Sequence, residues 1–340
     1  MGTLKIVSWN VAHMERLVQP NLSSVLLRRR DAVINEIREL DPDIWCLLEG
    51  PKGEAAIDEV ANGLLGGDYV PVKLPPGPGT EAKRYAQLGQ QWVWWLVKPH
   101  LAPAASLLPP EVWDDFTEST FEVYRWGETT PSTHSHYRHP QTLVLDTGGH
   151  RIELIGLHLK SKYINKGKTL WNNDPPAFMR MAVEARMKMA REATNVRDYV
   201  NSRFDQSPNP GIFVMGDFND GPGKEWFEDR FLFFDLISNI QGDVFFSSRY
   251  LFHALFDFPQ DLRWTAKFAD FVVGDTEPKP ILLDHILFTQ SLTNGSLPWR
   301  IGPGAGKVEH EIHALANATL PQAAKTSDHS PVSVRVQTAD

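Results

Sequence analysis

The sequence predicts an α/β protein built on mixed β-sheets. Three observations carry this. Apolar runs of strand length alternate with segments of helical period along the chain. Several of those runs are apolar throughout, as strands covered on both faces are. Two strand-like segments flank the turn Thr147-Gly148-Gly149, a hairpin signal that argues against a purely parallel sheet.

The elements follow in chain order. Leu4 to Trp9 alternates and reads as a first strand. Asn21 to Ser24 offers helix caps, and Val25, Val33, Ile37 and Leu40 then recur at helical spacing until Asp41-Pro42. Ile44 to Leu48 is a continuous apolar run, a buried strand. Glu54 to Leu65 reads as a helix stopped by Gly66-Gly67. Gln91 to Val97 is a tryptophan-rich strand. Gln141 to Leu145 and Arg151 to Leu159 are the arms of the hairpin. Pro176 to Arg203 reads as one long amphipathic helix with proline near its start. Ile212 to Met215, Ile281 to Phe288 and Val332 to Val336 complete the strands. No linker or internal repeat divides the chain, so residues 1–340 are expected to form a single domain. Residues 71–90 and 99–137 are Pro- and Gly-rich without a clear period, and 242–280 is a second irregular, aromatic-rich region. The insertions expected are therefore near 71–137 and 242–280. Loops of that length tend to be functional.

Composition narrows the class. The chain has 340 residues, 42% hydrophobic and 22% charged, the profile of an ordinary globular protein with ample core. No apolar run nears the roughly 18 residues that span a bilayer. The first residues lack the basic and apolar regions of a signal peptide. Cys46 is the sole cysteine and sits in an apolar run, so no intrachain disulfide forms, and a reducing cytoplasm is expected. Lys and Arg number 34 against 42 Asp and Glu, a net charge of −8. That balance disfavours a broad basic nucleic-acid face, although bound cations can supply positive field locally.

The polar residues fall at strand ends. Asn10 follows the first strand, and Glu49 follows the second apolar run. His158 lies at the end of the strand Ile152 to Leu159. Asp217 and Asn219 follow Ile212 to Met215, within Gly216-Asp217-Phe218-Asn219-Asp220. Asp284 and His285 lie within Ile281 to Phe288, and Asp328 and His329 precede the last strand. Each alone has an ordinary reading: a turn residue for Asn10, a β-turn for Asp217 to Asp220, a satisfied buried histidine for His158, a cap for Asp328-His329. Glu49 resists one, because a carboxylate ending a buried run needs a partner or a metal. Six such placements together point to one edge of a packed sheet, where α/β proteins build sites.

In this order Ser8-Trp9-Asn10, Leu48-Glu49, Leu157-His158-Leu159-Lys160-Ser161, Gly216-Asp217-Phe218-Asn219, Leu283-Asp284-His285 and Ser327-Asp328-His329-Ser330-Pro331-Val332 resemble the motifs of the endonuclease/exonuclease/phosphatase superfamily. The resemblance spans nearly the whole chain. It implies a four-layer α/β sandwich, two mixed sheets face to face with helices outside. It also implies a divalent-metal-dependent phosphodiesterase, Mg²⁺ first and Mn²⁺ as substitute, since hard oxygen ligands suit those ions. The substrate would be a phosphodiester, nucleic acid with a nuclease activity first, or a small or lipid phosphoester as the alternative. A catalytically silent binding domain on the same fold should have lost some of these positions, and none is missing.

The resemblance assigns roles. Glu49 is the principal metal ligand, with Asn10 and Asp328 beside the same ion. Asp217 orients or deprotonates the attacking water, or holds a second metal, and Asn219 holds a phosphate oxygen and orients Asp217. Asp284 bonds one ring nitrogen of His329, which contacts the scissile phosphate, and His158 donates to another phosphoryl oxygen. Lys160 and Lys162, in a segment with Lys166 and Lys168, are candidates for phosphate contact, or belong to a solvated loop. Arg138 is a further candidate. Trp92, Trp94 and Trp95 form either a base-stacking platform or core, and the apolar run favours core. His134, His136 and His139, like His310 and His313, read as polar loop residues rather than a second metal site. Many members of the superfamily follow the metal glutamate with polar residues of a substrate loop, whereas Gly50-Pro51-Lys52-Gly53 stands here, and the region 71–137 matches no named branch, so the substrate stays open.

Overall fold

A computed structural model describes residues 2–117, 121–124, 128–231, 233 and 235–338. Two large mixed sheets organise the chain. The first holds β1 (Gly2–Asn10), β2 (Ile44–Gly50), β3 (Val70–Pro71), β4 (Trp92–Val97), β15 (Trp299–Arg300), β16 (Gly306–Val308) and β17 (Val332–Thr338), in the order β15-β17-β1-β2-β4-β3 with β16 also on β17. The second holds β5 (Ala105–Leu107), β8 (Gln141–Thr147), β9 (His150–His158), β10 (Gly211–Asp217), β11 (Phe252–His253) and β14 (Asp284–Phe288), in the order β11-β14-β10-β9-β8-β5. Two hairpins stand apart, β6 (Phe121–Tyr124) with β7 (Pro131–His134), and β12 (Ala266–Phe268) with β13 (Lys279–Ile281). The helices are α1 (Ser24–Leu40), α2 (Glu54–Asp58), α3 (Glu81–Arg84), α4 (Asp114–Thr117), α5 (Gly167–Asn173), α6 (Pro175–Gln206), α7 (Trp226–Phe231), α8 (Leu236–Gln241) and α9 (His310–Asn317).

Strand periodicity explains the layers. On β10, Phe213 and Met215 join the core between the sheets, while Ile212 and Val214 join a second core beneath α6 and α8. β14 divides likewise, Ile286 and Phe288 to one side and Leu287 to the other. Val33, Ile37 and Leu40 of α1 cover the outer face of the first sheet. The result is helix, sheet, sheet, helix, the four layers expected. No helix among the described residues is long and apolar enough to cross a membrane.

Local departures have local causes. The run Ile281 to Phe288 is two strands, β13 and β14, in different sheets. Thr265 separates them: its hydroxyl accepts from the backbone N–H of Leu283 (3.0 Å) and of Asp284 (3.2 Å), replacing ladder bonds. The helix from Glu54 changes at Glu59–Leu64 into a wider π-helical turn. The Pro- and Gly-rich stretches are not wholly irregular, since 99–137 contains β5, the edge of the second sheet, and 242–280 contains β11 and β12. Trp92, Trp94 and Trp95 are buried core residues and present no stacking platform; Trp94 donates to the Pro51 carbonyl (2.7 Å) and Trp95 to that of Gln141 (2.9 Å). Cys46 is buried, and burial pushes its thiol pKa up, keeping it inert.

Candidate active site

Register builds one half of the site. Asp217 at the end of β10 pairs with His158 on β9 to one side and with Asp284 on β14 to the other. Three polar side chains thus stand in a row across adjacent strands. The first sheet supplies the other half. Asn10 ends β1 beside Leu48 of β2, and Glu49 comes next. The β2–β4 register shifts between Leu47 and Gly50, and Glu49 takes a left-handed φ of 55° there. A bulge of this kind re-aims a side chain. Ala12 (φ 50°), His13 (φ 62°) and Asn219 (φ 55°) are left-handed too. Such conformations cost of order 1–3 kcal/mol each and gather where geometry serves a function.

Asn10 joins the halves. Its amide donates to Asp217 Oδ2 at 3.0 Å and approaches Glu49 Oε1 at 3.4 Å. The other Glu49 oxygen accepts from the backbone N–H of His13 at 2.8 Å and from the Gln91 amide. Ser327 Oγ donates to the Asn10 carbonyl at 2.6 Å, and Trp9 Nε1 to that of His329 at 2.9 Å, tying the C-terminal motif to β1.

The second-sheet half is buried and electrostatically tuned. His329 Nδ1 lies 2.7 Å from Asp284 Oδ2. Burial opposes charge on His329, but the carboxylates of Asp284 and Asp217 outweigh it and raise the pKa to about 10. Burial pushes the Asp217 pKa up; His329 opposes this, Asp284 adds to it, and the hydrogen bonds from Asn219 and Asn10 oppose it. His158, with Nε2 3.7 Å from Asp217 Oδ2, is held neutral by burial, by Arg138 and by His329. Among the described residues, three buried polar atoms here have no hydrogen-bond partner: His158 Nδ1, Arg138 Nε and Asp284 Oδ1. Buried polar atoms are almost always paired, so a cluster of exceptions is where a ligand completes the structure.

Two groups of donors could hold a metal. Asp217, Asp284 and His329 present ligand atoms within 4.8 Å of one another. A histidine held as imidazolium has no lone pair for an ion, which weighs against that trio as a whole. Glu49 offers an oxygen donor, since its Oε1 has, among the described residues, a single long 3.4 Å hydrogen bond from the Asn10 amide, while Asn10 Oδ1 accepts from the Ala12 N–H at 3.0 Å. That donor chemistry fits a hard divalent cation.

The sequence pattern of the "Endonuclease/Exonuclease/phosphatase family" matches residues 7–329. The chain belongs to that family. Comparison with curated protein sequences finds no match. Among solved structures, truncated Caenorhabditis elegans TDP2 is 14% identical with a TM-score of 0.53, covering 99% of this chain and 98% of that one. D. rerio TDP2 complexed with single strand DNA product is 13% identical with a TM-score of 0.52, covering 99% and 100%. A family protein from Leptotrichia buccalis is 15% identical with a TM-score of 0.50, covering 98% and 99%. At these identities the likeness is one of fold.

Most of the family's motif residues converge: Asn10, Glu49, His158, Asp217, Asn219, Asp284 and His329 meet where the two sheets end. Others sit differently than expected. Asn219 orients Asp217 through its backbone N–H (2.8 Å to Oδ1), while its side-chain amide donates to the Leu159 carbonyl at 3.0 Å. Asp328 is exposed in the wall of an open cavity of about 840 Å³, with His13 and Arg29, and no hydrogen bond among the described residues joins it to Glu49. Lys162 is not a free cation: Asp220 (2.5 Å) and Glu228 (2.6 Å) neutralise it. Lys160 turns its ammonium to the Ser161 carbonyl at 2.7 Å, and burial lowers its pKa. Arg138 donates to Gln91 Oε1 at 2.7 Å and lies within the field of Glu49 and Asp217. His139 bonds the Pro140 carbonyl and His136 meets Asn195, so neither forms a metal site; the side chain of His134 lies outside the described residues. His310 meets the Leu262 carbonyl and His313 pairs with Glu36.

Two residues escaped the sequence reading. Gln91 clamps Glu49 and Arg138 together from the start of β4. Arg29 donates to the carbonyls of Val11 (2.7 Å), Ala12, Lys325 (3.0 Å) and Thr326 (3.0 Å), fastening the loop after β1 to the one before His329. Its signal was present: Arg29 falls four residues before Val33, on the buried stripe of α1, whereas Val25, read at the same spacing, is exposed.

Proposed function

We propose that this protein is a divalent-metal-dependent phosphodiesterase that hydrolyses a phosphoester with an activated water. The observation that carries the reading is the row His158–Asp217–Asp284, with His329 Nδ1 on Asp284, joined through the Asn10 amide to Glu49 and its weakly occupied oxygen. Glu49, with Asn10 and Asp328 beside it, would hold a divalent cation, which would supply Lewis acidity to the phosphoryl group. Mg²⁺ is the first choice and Mn²⁺ the substitute.

The chain's own groups do the rest. Asp217, its basicity raised by burial, takes a proton from the water whose oxygen attacks phosphorus; a pKa pushed towards neutrality suits a general base. Asn10 and the Asn219 N–H hold that carboxylate in place. One P–O bond forms to the water oxygen, and the bond to the leaving oxygen breaks with its electron pair. His329, fixed and kept charged by Asp284, faces the phosphoryl oxygens, offsets the charge that develops on them and gives its proton to the departing oxygen. His158 and Arg138 donate to those oxygens from the other side through atoms now unpartnered.

Nucleic acid is one substrate reading, supported by the D. rerio neighbour, which is complexed with single strand DNA product. A smaller phosphodiester is the second, favoured by the net charge of −8 and by the sealed tryptophans. Hydrolysis of bis-p-nitrophenyl phosphate tests the reaction class. Turnover with Mg²⁺ or Mn²⁺ that a chelator abolishes supports the proposal; turnover indifferent to chelator, or none with any divalent ion, overturns it.

A further inference from the structure

A cavity of about 520 Å³ opens beside the candidate site, and no residue assigned above accounts for it. It lies between the segment after β9, the start of α6 and the β12–β13 hairpin. Its floor is the small apolar cluster of Ile164, Phe178 and Phe227, which is separate from both main cores, and Phe271 and Val272 pack against that cluster. Asn219 and Leu283 line the cavity as well. The first is two residues from Asp217 and the second precedes Asp284, so the cavity lies next to the phosphate-facing row, although His158, Asp217, Asp284 and His329 do not line it.

Two of its charged side chains are already engaged. Lys162 is held by Asp220 and Glu228, and Arg186 lies 2.5 Å from Glu225 with its guanidinium over the Phe227 ring. A nucleobase edge turned onto the apolar floor would leave its donors and acceptors unmet, at a cost of about 1–3 kcal/mol for each. An apolar chain has no such demand. The size is that of a ligand pocket, and apolar walls with a few polar groups at one end are the usual form of such pockets. Tyr163 (73% exposed) and Phe268 (54% exposed) flank it as large aromatic surface that an apolar group would cover. Lys166 and Lys168 are exposed in its lining and form no ion pair among the described residues, which suits an anionic headgroup.

The geometry points to a subsite for an apolar group: the substrate is an amphiphilic phosphodiester whose alkyl or acyl portion fills this cavity while its phosphate lies over His158, Asp217 and His329. This rests on the phosphodiesterase reading and selects a substrate class within it. The test is a series of p-nitrophenyl phosphodiesters carrying a methyl, butyl or octyl group, with p-nitrophenyl thymidine 5′-phosphate as the nucleoside arm, all with Mn²⁺. Each buried methylene is worth roughly a fourfold gain, so kcat/KM for octyl should exceed methyl by at least about 100-fold. The nucleoside diester should fall below octyl. Ile281→Asp puts charge in the cavity wall and Val272→Trp fills the space; each should bring the octyl-to-methyl ratio close to one. A flat series, a nucleoside diester better than octyl, or a steep series that survives in both folded variants overturns the inference. Should the protein hydrolyse no diester, calorimetry with octyl and methyl phosphate decides separately. Tighter octyl binding that Val272→Trp removes supports the cavity while the reaction class fails, and equal binding overturns the cavity.

Discussion

The two sheets bring different kinds of residue to the candidate site. The second sheet contributes His158, Asp217 and Asp284 in register on three neighbouring strands, all buried, and burial keeps His158 neutral and raises the Asp217 pKa. The first contributes Asn10 and Glu49 at strand ends, next to a left-handed loop, with Asp328 exposed at the rim. Buried, register-locked groups cannot exchange partners cheaply, whereas a bulged glutamate with a weakly occupied oxygen can. Under the proposed function the difference amounts to a division of labour, in which the rigid half would hold protons and phosphate and the open half would take up and release the ion.

Substitutions in the rigid half should therefore be irrecoverable and those in the open half should respond to metal. His329→Ala carries the largest expected effect, a fall in kcat of roughly 10²–10⁴ at saturating metal, typical of losing a positioned acid or base, read by steady-state kinetics. Glu49→Ala should come next, raising the Mn²⁺ concentration for half-maximal rate by about 10–100-fold. Gln91→Ala removes the clamp on Glu49 without removing a proposed ligand, and a shift of about 10-fold in the same measurement is expected.

The smallest effect concerns stability. The folded pKa of His329, raised to about 10 from an unfolded value near 6.5, means its contribution is full below about pH 6.5 and is lost as pH rises towards 10. The raised Asp217 pKa acts in the same direction, since the folded state there holds a proton that the unfolded state releases. The melting temperature of metal-free protein should fall across pH 6.5–10, and less steeply in Asp284→Asn. Equal slopes would remove the Asp284–His329 pair from the account.

Much of this was legible in the sequence because strand ends are local. Apolar runs that stop at Asn10, Glu49, His158 and Asp217 announce both the strand and the group at its edge. The long helix, the hairpin and the buried tryptophans follow from periodicity in the same way. What could not be read depends on distant partners. Lys162 looked like a free cation because Asp220 and Glu228 lie 58 and 66 residues away. Gln91 gains meaning only when β4 is laid against β2 across the Leu47–Gly50 bulge. Leu282 and Leu283 read as strand until Thr265, remote in sequence, supplies the hydroxyl that ends the ladder. Asp328 and His329 are neighbours in sequence, yet one faces solvent and the other the buried row, a split set by the Ser327 hydroxyl accepting from the His329 N–H at 3.0 Å.

The division between the halves is tested most directly by one Mn²⁺ titration of bis-p-nitrophenyl phosphate hydrolysis, run side by side on wild type, Glu49→Ala and His329→Ala. The account predicts that Glu49→Ala moves the midpoint to higher Mn²⁺ and regains rate as the ion is raised, while His329→Ala keeps the wild-type midpoint at a plateau lower by roughly 10²–10⁴. A His329→Ala enzyme restored by Mn²⁺, or a Glu49→Ala enzyme with an unshifted midpoint, would contradict it.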